Sequence, residues 1–104
     1  MVESGRVERQ KSPSGGRYVY PLPDGTAAEL TYQEQRPGVM VITHTGTPPR
    51  HRGQGIAAAL VARAVEDFRA EGLKVIPACW FARDQFRERP EWTDLLFRSD
   101  EVTR

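Results

Sequence analysis

The sequence has little cysteine, no long apolar run and almost no net charge, and each shortage excludes a class of protein. The one cysteine, Cys79, permits neither an internal disulfide nor a metal site built from several thiolates. No apolar run approaches the roughly 20 residues that span a bilayer, and residues 1–14 lack the apolar core of a signal peptide. A formal net charge of +1 offers no field that would recruit nucleic acid or an anionic membrane. We therefore expect a cytoplasmic protein without a bound metal, a nucleic-acid partner or a membrane partner.

The chain of 104 residues is long enough for one domain with a modest core. Residues 1–16 are polar, are punctuated by Ser, Gly and Pro, and contain only two large apolar side chains, Met1 and Val7. Such a segment cannot bury enough apolar surface to order itself. We predict a mobile N-terminal tail over residues 1–16 and a single domain over residues 17–104.

Alternating apolar residues predict the first strands. They alternate over residues 18–22 and again over residues 28–33, and the turn-forming pair Asp24-Gly25 separates the two runs. This pattern predicts an antiparallel hairpin with one solvated face. Residues 39–45 follow a further turn and begin with apolar residues on both faces, which is typical of a strand covered on both sides.

A helical period follows a loop over residues 46–55. Apolar residues recur every three or four positions from Ala57 to Phe68, while charged residues such as Asp67 take the solvated face. Gly72 stands where a C-terminal cap belongs, so a helix is predicted over residues 53–71.

Shorter elements complete the chain. Residues 74–79 predict a strand in which Pro77 indicates an edge position or a bulge. Residues 81–89 predict a second helix that Pro90 ends. A final apolar cluster is expected to pack on the sheet, and it consists of Trp92, Leu95, Leu96 and Phe97.

The order strand, loop, helix, strand from residue 39 to residue 79 is a βαβ unit. Such units cross over right-handed, so their two strands are parallel and end at the same edge of the sheet. Residues 43–45, the loop and Cys79 should therefore converge at that edge, where ligands bind in open α/β sheets.

The loop has the residue types of an anion site. Gly53 and Gly55 let the backbone approach a ligand closely, and the following helix N-terminus offers free amides to a phosphate. The Lys-Ser/Thr pair of a P-loop NTPase and the three-glycine fingerprint of a Rossmann dinucleotide loop are both missing. Taken alone, a Gly-x-Gly pair is more typical of an ordinary helix N-terminus with arginines in solvent.

A family resemblance changes this balance. Residues 52–57, Arg-Gly-Gln-Gly-Ile-Ala, resemble the Arg/Gln-x-x-Gly-x-Gly/Ala signature of GCN5-related N-acetyltransferases, with Arg52, Gly55 and Ala57 at the signature positions. A longer set of matches resembles the small subgroup called YjdJ-type or N-acetyltransferase-domain-containing-1-like, and the resemblance covers about residues 17–97. The matching stretches are 44–45, 48–49, 52–57, 72–77, Cys79 and 90–92.

The resemblance implies an α/β (α+β) fold: a minimal acetyltransferase with a short, mostly antiparallel sheet, one parallel βαβ pair and two main helices. It also implies acetyl-CoA, or coenzyme A, as the co-substrate, with its pyrophosphate held by loop amides. Thr47 and Gln85 depart from the residues usual in the subgroup. The residues expected to contact the coenzyme are Thr45, Thr47, Arg52, Gly53, Gln54, Gly55, Ile56, Ala57 and Phe81.

Two residues are candidates for the chemistry of acetyl transfer to an amine. His44 can act as a general base near neutral pH, although it shares a predicted strand face with Met40 and Ile42 and could equally be a partly buried core histidine. Cys79 lies between a strand and a helix, where a helix N-terminus favours the reactive thiolate. It could carry the acetyl group, protonate the departing thiolate, or be an inert small hydrophobe.

The sequence therefore predicts an acetyl-CoA-dependent N-acetyltransferase whose amine acceptor is not identified. The alternative is a coenzyme-A binding module with little or no turnover. A nucleic-acid module that uses Arg50, His51 and Arg52 is disfavoured, because the net charge is near zero and aromatic residues are not interleaved with the basic ones. A bare sheet edge could favour a homodimer that completes the acceptor site.

Overall fold

The computed structural model describes residues 6–98 and shows a five-stranded sheet with two helices. The strands lie in the order β1-β2-β3-β4-β5, and only β4 and β5 are parallel. The predicted fold class is confirmed. The strands are Glu8–Ser12 (β1), Gly15–Pro21 (β2), Ala27–Arg36 (β3), Val39–Gly46 (β4) and Lys74–Pro77 (β5). The helices are Ile56–Ala70 (α1) and Trp80–Glu88 (α2), with 3₁₀ turns at Pro49–His51 and Pro90–Leu95.

One core cluster joins both helices to the sheet. The predicted hairpin is present, since β2 pairs with β3 antiparallel and places Tyr18 opposite Leu30. These two side chains are fully buried, as are Ile42 of β4 and Phe68 of α1. The alternation over residues 18–33 therefore identified the face that packs against the helices.

The chain beyond α2 packs on the edge of the sheet. Trp92 and Leu95 are buried, and Leu96 forms an isolated parallel bridge with Val75 of β5. The predicted C-terminal apolar cluster is thus confirmed. β5 ends at Pro77 and lies at the edge of the sheet, one of the two positions that this proline indicated.

The predicted tail is wrong for the part of residues 1–16 that the structure describes. Residues 8–12 form β1, which pairs with β2 from Glu8↔Val19 to Ser12↔Gly15, and Val7 is buried in the core. The strand was missed because its exposed edge position tolerates polar side chains on both faces, which removes the apolar alternation. Residues 1–5 lie outside the described part of the chain.

Residue Asp67 also differs from the expectation of a solvated helix face. It is half-buried, and its Oδ2 accepts a hydrogen bond of 2.9 Å from the Tyr18 hydroxyl and one of 3.1 Å from Arg63 Nε. Burial raises the pKa of Tyr18 far above its ordinary value, and the bond to Asp67 raises it further. Tyr18 therefore acts as a neutral donor that ties the sheet to α1.

A bulge in β4 controls which side chains face the helices. Tyr32 of β3 pairs with Ile42, whereas the preceding residue Thr31 pairs with His44, so Thr43 is an extra residue in β4. Beyond the bulge Thr45 is paired with Leu30, a residue of the buried face. The expectation that β4 is covered on both sides is wrong here, since Thr43 and His44 are exposed.

The parallel pair separates just after the bulge begins. β4 and β5 pair from Val39↔Lys74 to Ile42↔Pro77 and no further. The backbone amides of Ala78 and Cys79 then both donate to the Ile42 carbonyl, at 3.1 and 3.3 Å. β4 continues to Gly46 without a partner on this side, which leaves a gap between the two strands.

Candidate functional site

A cavity of about 530 Å³ opens at the gap, on the face that carries both helices. β4 and the loop after it form one wall, the first turn of α1 forms the floor, and α2 forms the other wall. The predicted convergence of the loop with the strand ends is therefore present. The lining residues are Thr45, Gly46, Thr47, His51, Arg52, Gly53, Gly55, Ile56, Ala57, Ala58, Trp80, Phe81 and Gln85.

The floor of the cavity has the geometry of an anion site. Gly53 and Gly55 have φ of 83° and 81°, and Gly55 is the N-cap of α1. No side chain caps this helix end, so the amides of the first turn have no partner within the helix. Residues 56–58 line the cavity, and the positive end of the helix dipole is directed at it. Because Gly55 is left-handed, the helix begins at Ile56 and not at residue 53 as predicted.

A thiol and a hydroxyl meet at the opposite end. Cys79 is the N-cap of α2, and its Sγ accepts a hydrogen bond of 3.4 Å from Ala82 N. The same Sγ lies 3.4 Å from Thr45 Oγ1. Thr45 lines the cavity, whereas half-buried Cys79 is not among the lining residues. The contact with Thr45 therefore links the thiol to the residues that line the cavity.

His44 lies on the other face of the sheet. The prediction that it shares a face with Met40 and Ile42 is wrong, because the bulge at Thr43 reverses the alternation. Its ring lies against Gly46, two residues further along β4, where Nε2 is 2.9 Å from the position that a β-carbon would occupy. Since Gly46 lines the cavity, His44 lies at the rim of the site from the open face.

The residues predicted to contact the coenzyme fall almost wholly in one place. Gln54 is the exception, since it lines a neighbouring cavity of about 290 Å³ together with His51. Arg52 is exposed, and its Nε donates to the Thr47 carbonyl at 3.2 Å, which closes the loop upon itself. The members that line the main cavity are Thr45, Thr47, Arg52, Gly53, Gly55, Ile56, Ala57 and Phe81.

Five lining residues were not among those predicted to contact the coenzyme, namely Gly46, His51, Ala58, Trp80 and Gln85. Trp80 is the exposed large hydrophobic side chain of residues 6–98, with 69% of its surface accessible, and its ring packs edge-on against Phe81 at 5.9 Å. Gln85 follows Phe81 by one helical turn and lies on the same wall, a spacing that would have identified it. His51 precedes the signature, and no spacing in the sequence indicated its contact.

A carboxylate outside the cavity contacts His51. Asp24 Oδ2 lies 3.0 Å from His51 Nε2, and Arg50 Nη1 is 3.8 Å from the same oxygen. Hydrogen bonds from Thr26, and then the one from His51, hold the pKa of Asp24 well below its usual range. Asp24 is therefore negatively charged at neutral pH.

Across residues 6–98 no three His, Cys, Asp or Glu side chains are grouped so that they could hold a metal ion. Neither helix in that part of the chain is long and apolar enough to cross a membrane.

The fold and the cavity are those that the resemblance of residues 52–57 implied. The family model described as GCN5-related N-acetyl-transferase matches residues 17–95. The chain belongs to this family of acyltransferases, which generally use acetyl-CoA.

Individual relatives agree with that assignment. Protein NATD1 from Gallus gallus, Mus musculus and Homo sapiens is 32% identical over 63 residues, which cover 61% of this chain. The match spans only 56–57% of those relatives. The solution structure of a GCN5-like protein from Staphylococcus aureus superposes with a TM-score of 0.68 at 25% identity, covering 88% of this chain and 89% of the other.

Proposed function

We propose that the chain transfers an acetyl group from acetyl-CoA to an amine. The observation that supports this most strongly is the cavity itself, which has an anion site at Gly55 and α1 and a thiol–hydroxyl pair at Thr45 and Cys79. Acetyl-CoA has a matching order of groups: a pyrophosphate, a pantetheine arm and a terminal thioester. The arm lies between the loop after β4 and the α2 wall.

The amine reaches the thioester from the open face of the sheet. We infer that the amine passes through the gap that follows the last β4–β5 pair, since His44 lies on the open side with its ring at Gly46. A neutral amine attacks the carbonyl carbon, forming the new C–N bond. His44 accepts the proton that the nitrogen must lose, as a general base placed beside the nucleophile does.

Thr45 and Cys79 act on the leaving group. When the tetrahedral intermediate collapses, the C–S bond breaks and the coenzyme thiolate takes its electron pair. Thr45 Oγ1 faces the cavity and is within one hydrogen bond of Cys79 Sγ. A proton passes from the threonine hydroxyl to the thiolate and is replaced from the thiol. Cys79 contacts a residue that lines the cavity and is not itself a lining residue, which favours a proton donor acting through Thr45 over a carrier of the acetyl group.

Labelled acetyl-CoA and a panel of amines test the reaction. We expect label to appear on an amine, and no acetyl adduct on Cys79 in the intact mass. Cys79→Ala and Thr45→Val should each lower kcat about 100-fold, the usual contribution of a positioned acid, whereas Thr93→Val on the exposed 3₁₀ turn should not. A stable adduct on Cys79 would overturn the proton-donor role. Bound coenzyme with no label transferred to any amine would instead favour a binding module without turnover.

Two glycines with matched backbone angles test the phosphate contact. Gly55 and Gly38 have φ of 81° and 84°, and a β-carbon at either one would meet no atom within 4 Å. Alanine at either position should therefore cost a similar stability, about 1 kcal/mol. Only Gly55→Ala should weaken coenzyme A binding, measured by calorimetry, because only Gly55 lines the cavity. Equal affinities in the two variants would mean that the pyrophosphate does not bind at this loop.

A further inference from the structure

The phosphate-binding loop, residues 52–55, is attached to the rest of the fold at few points. All four of its residues are exposed. Within the loop region, Arg52 bonds backward to the carbonyls of Thr47 and Pro49. These bonds close the segment upon itself without fixing it to the sheet.

A contact from a distant turn supplies that attachment. Asp24 lies in the turn between β2 and β3, and its Oδ2 is 3.0 Å from His51 Nε2, directly before the loop. Its other oxygen, Oδ1, accepts from Thr26 N at 3.0 Å and from Thr26 Oγ1 at 2.6 Å. One carboxylate oxygen therefore fixes the turn while the other reaches the imidazole. The His51 side chain is only 18% exposed, so its ring is held in place.

We propose that Asp24 is a positioning residue that acts through His51. It ties the phosphate-binding loop to the β2–β3 turn, so that the loop amides are already arranged for a pyrophosphate when the coenzyme arrives. The idea rests on the proposed function of the loop. A loop that must be ordered on binding costs affinity, and a loop ordered beforehand does not.

The chemistry of the ligand gives this role a distinctive signature. Loss of the Asp24–His51 contact should weaken the binding of ligands that contain the pyrophosphate. The binding of pantetheine, which has no such group, should not change. The 3′-phosphate of coenzyme A should not matter, because the amides of the loop and of α1 are the groups being positioned. A merely structural role of Asp24 would lower the affinity for all three ligands together, or lower only the melting temperature.

Calorimetric titrations of coenzyme A, 3′-dephospho-coenzyme A and pantetheine test the proposal. His51→Phe keeps a ring without nitrogens. Asp24→Ala and His51→Phe should each lower the affinity for coenzyme A and for 3′-dephospho-coenzyme A about tenfold, equivalent to about 1.4 kcal/mol. The double variant should lose no more than Asp24→Ala alone, which removes the contact with His51 together with the exposed pair to Arg50. In turnover the loss should appear in KM for acetyl-CoA and not in kcat.

Two control variants separate this contact from its surroundings. Thr26→Val removes one hydrogen bond to Asp24 but leaves Oδ2 on His51, so it should keep full affinity. Asp94→Ala removes another exposed carboxylate, paired with Arg69 far along the chain, and should have no effect on binding. Additive losses, an equal loss for pantetheine, or a loss limited to the ligand with the 3′-phosphate would overturn the proposal. If the wild-type protein binds no coenzyme A, the proposed function itself fails, which is a different result from unchanged affinity in Asp24→Ala.

Discussion

The absence of a side chain at Gly46 leaves room for the His44 ring. A β-carbon there would lie 2.9 Å from Nε2, and its three nearest atoms all belong to the His44 ring, so Gly46→Ala should displace the imidazole without disturbing the strand. We expect kcat to fall at least tenfold, because a general base contributes about 100-fold or more when it is well placed. The KM for acetyl-CoA should not change, since the new methyl group points away from the cavity.

His44→Gln is the reference for that experiment. If His44 is the base, Gly46→Ala should add little to the loss that His44→Gln already causes. A Gly46→Ala protein with wild-type kcat and an unchanged melting temperature would show that the ring position has no role in turnover.

Trp80 offers a direct signal of ligand binding. It is 69% exposed on the cavity wall, whereas Trp92, the other tryptophan of the chain, is 7% exposed and packs against Phe86. Coenzyme A should therefore quench or shift the emission of Trp80 alone. Trp80→Phe should remove the change and keep most of the affinity, while Trp92→Phe should keep the change. A signal that survives in Trp80→Phe would mean that the ligand does not contact this wall.

The site residues differ in how far the sequence could predict them. The loop from Arg52 to Ala57 was predicted from its resemblance to the acetyltransferase signature, and all of it except Gln54 lines the cavity, although the helix begins later than expected. The meeting of Thr45 with Cys79 also followed, since a right-handed crossover brings two strand ends together. The face on which His44 lies could not be predicted, because one extra residue in β4 reverses the direction of every later side chain without changing the apolar pattern of the sequence.

The first strand depends on one arginine. The Arg9 guanidinium lies over the rings of Tyr18, Tyr32 and Phe68, with its carbon 5.4–5.7 Å from each centroid. It also forms a two-pronged pair with Glu71 at the end of α1. This contact ties an otherwise polar edge strand to the helix layer.

Arg9→Ala should therefore destabilise the protein by about 2 kcal/mol, from lost cation–π contacts and a partly buried ion pair. Arg17→Ala is the matched control, because Arg17 lies on the next strand, is half exposed and pairs with Glu29 at the surface. Arg17→Ala should lower the free energy of unfolding by no more than about 0.5 kcal/mol. Urea unfolding measures both variants. Equal losses would mean that β1 contributes no stability through this contact.

β1 also shows why a strand can be invisible in a sequence. An edge strand needs pairing on one side only, and its stability here comes from Arg9 and from buried Val7, not from an apolar face. Gly15 and Gly16, which suggested a flexible tail, instead permit close approach: a β-carbon on Gly15 would lie 2.3 Å from the Tyr32 carbonyl oxygen. These requirements exist only once β3 is in place.

The complete molecule follows the predicted fold class because its core is built from local patterns. Apolar patterns in the sequence predicted a buried face for the hairpin, for the βαβ unit and for the C-terminal cluster. One core cluster joins those faces. The solvated face of the hairpin was predicted, but its continuation onto β4 was not, since the apolar run at the start of β4 suggested cover on both sides. A homodimer that completes an acceptor site there stays a prediction, which a monomeric mass at assay concentration would contradict.

Acid should destabilise the folded protein through its paired carboxylates. The hydrogen bond from Arg9 lowers the pKa of Glu71 below its ordinary 4.5, and the bond from Arg69 lowers that of Asp94 below its ordinary 3.8. Hydrogen bonds from Thr26 and His51 lower the pKa of Asp24 as well. Because these groups bind protons more readily in the unfolded chain, their contribution is complete above about pH 5. It is lost as the pH falls through their folded-state pKa values.

The urea midpoint measured from pH 7 to pH 2.5 should therefore be level at first and then decline below about pH 4.5, the ordinary value for Glu71. Glu71→Gln should start lower at pH 7 and decline less, since its partner Arg9 gains nothing from a neutral amide at any pH. Exposed Glu88→Gln, for which the structure gives no ion pair among residues 6–98, should follow the wild-type curve. If Glu71→Gln and the wild-type protein decline in parallel, the tie between β1 and α1 is not electrostatic, and the stability of the first strand must come from the packing of Arg9 on the three rings.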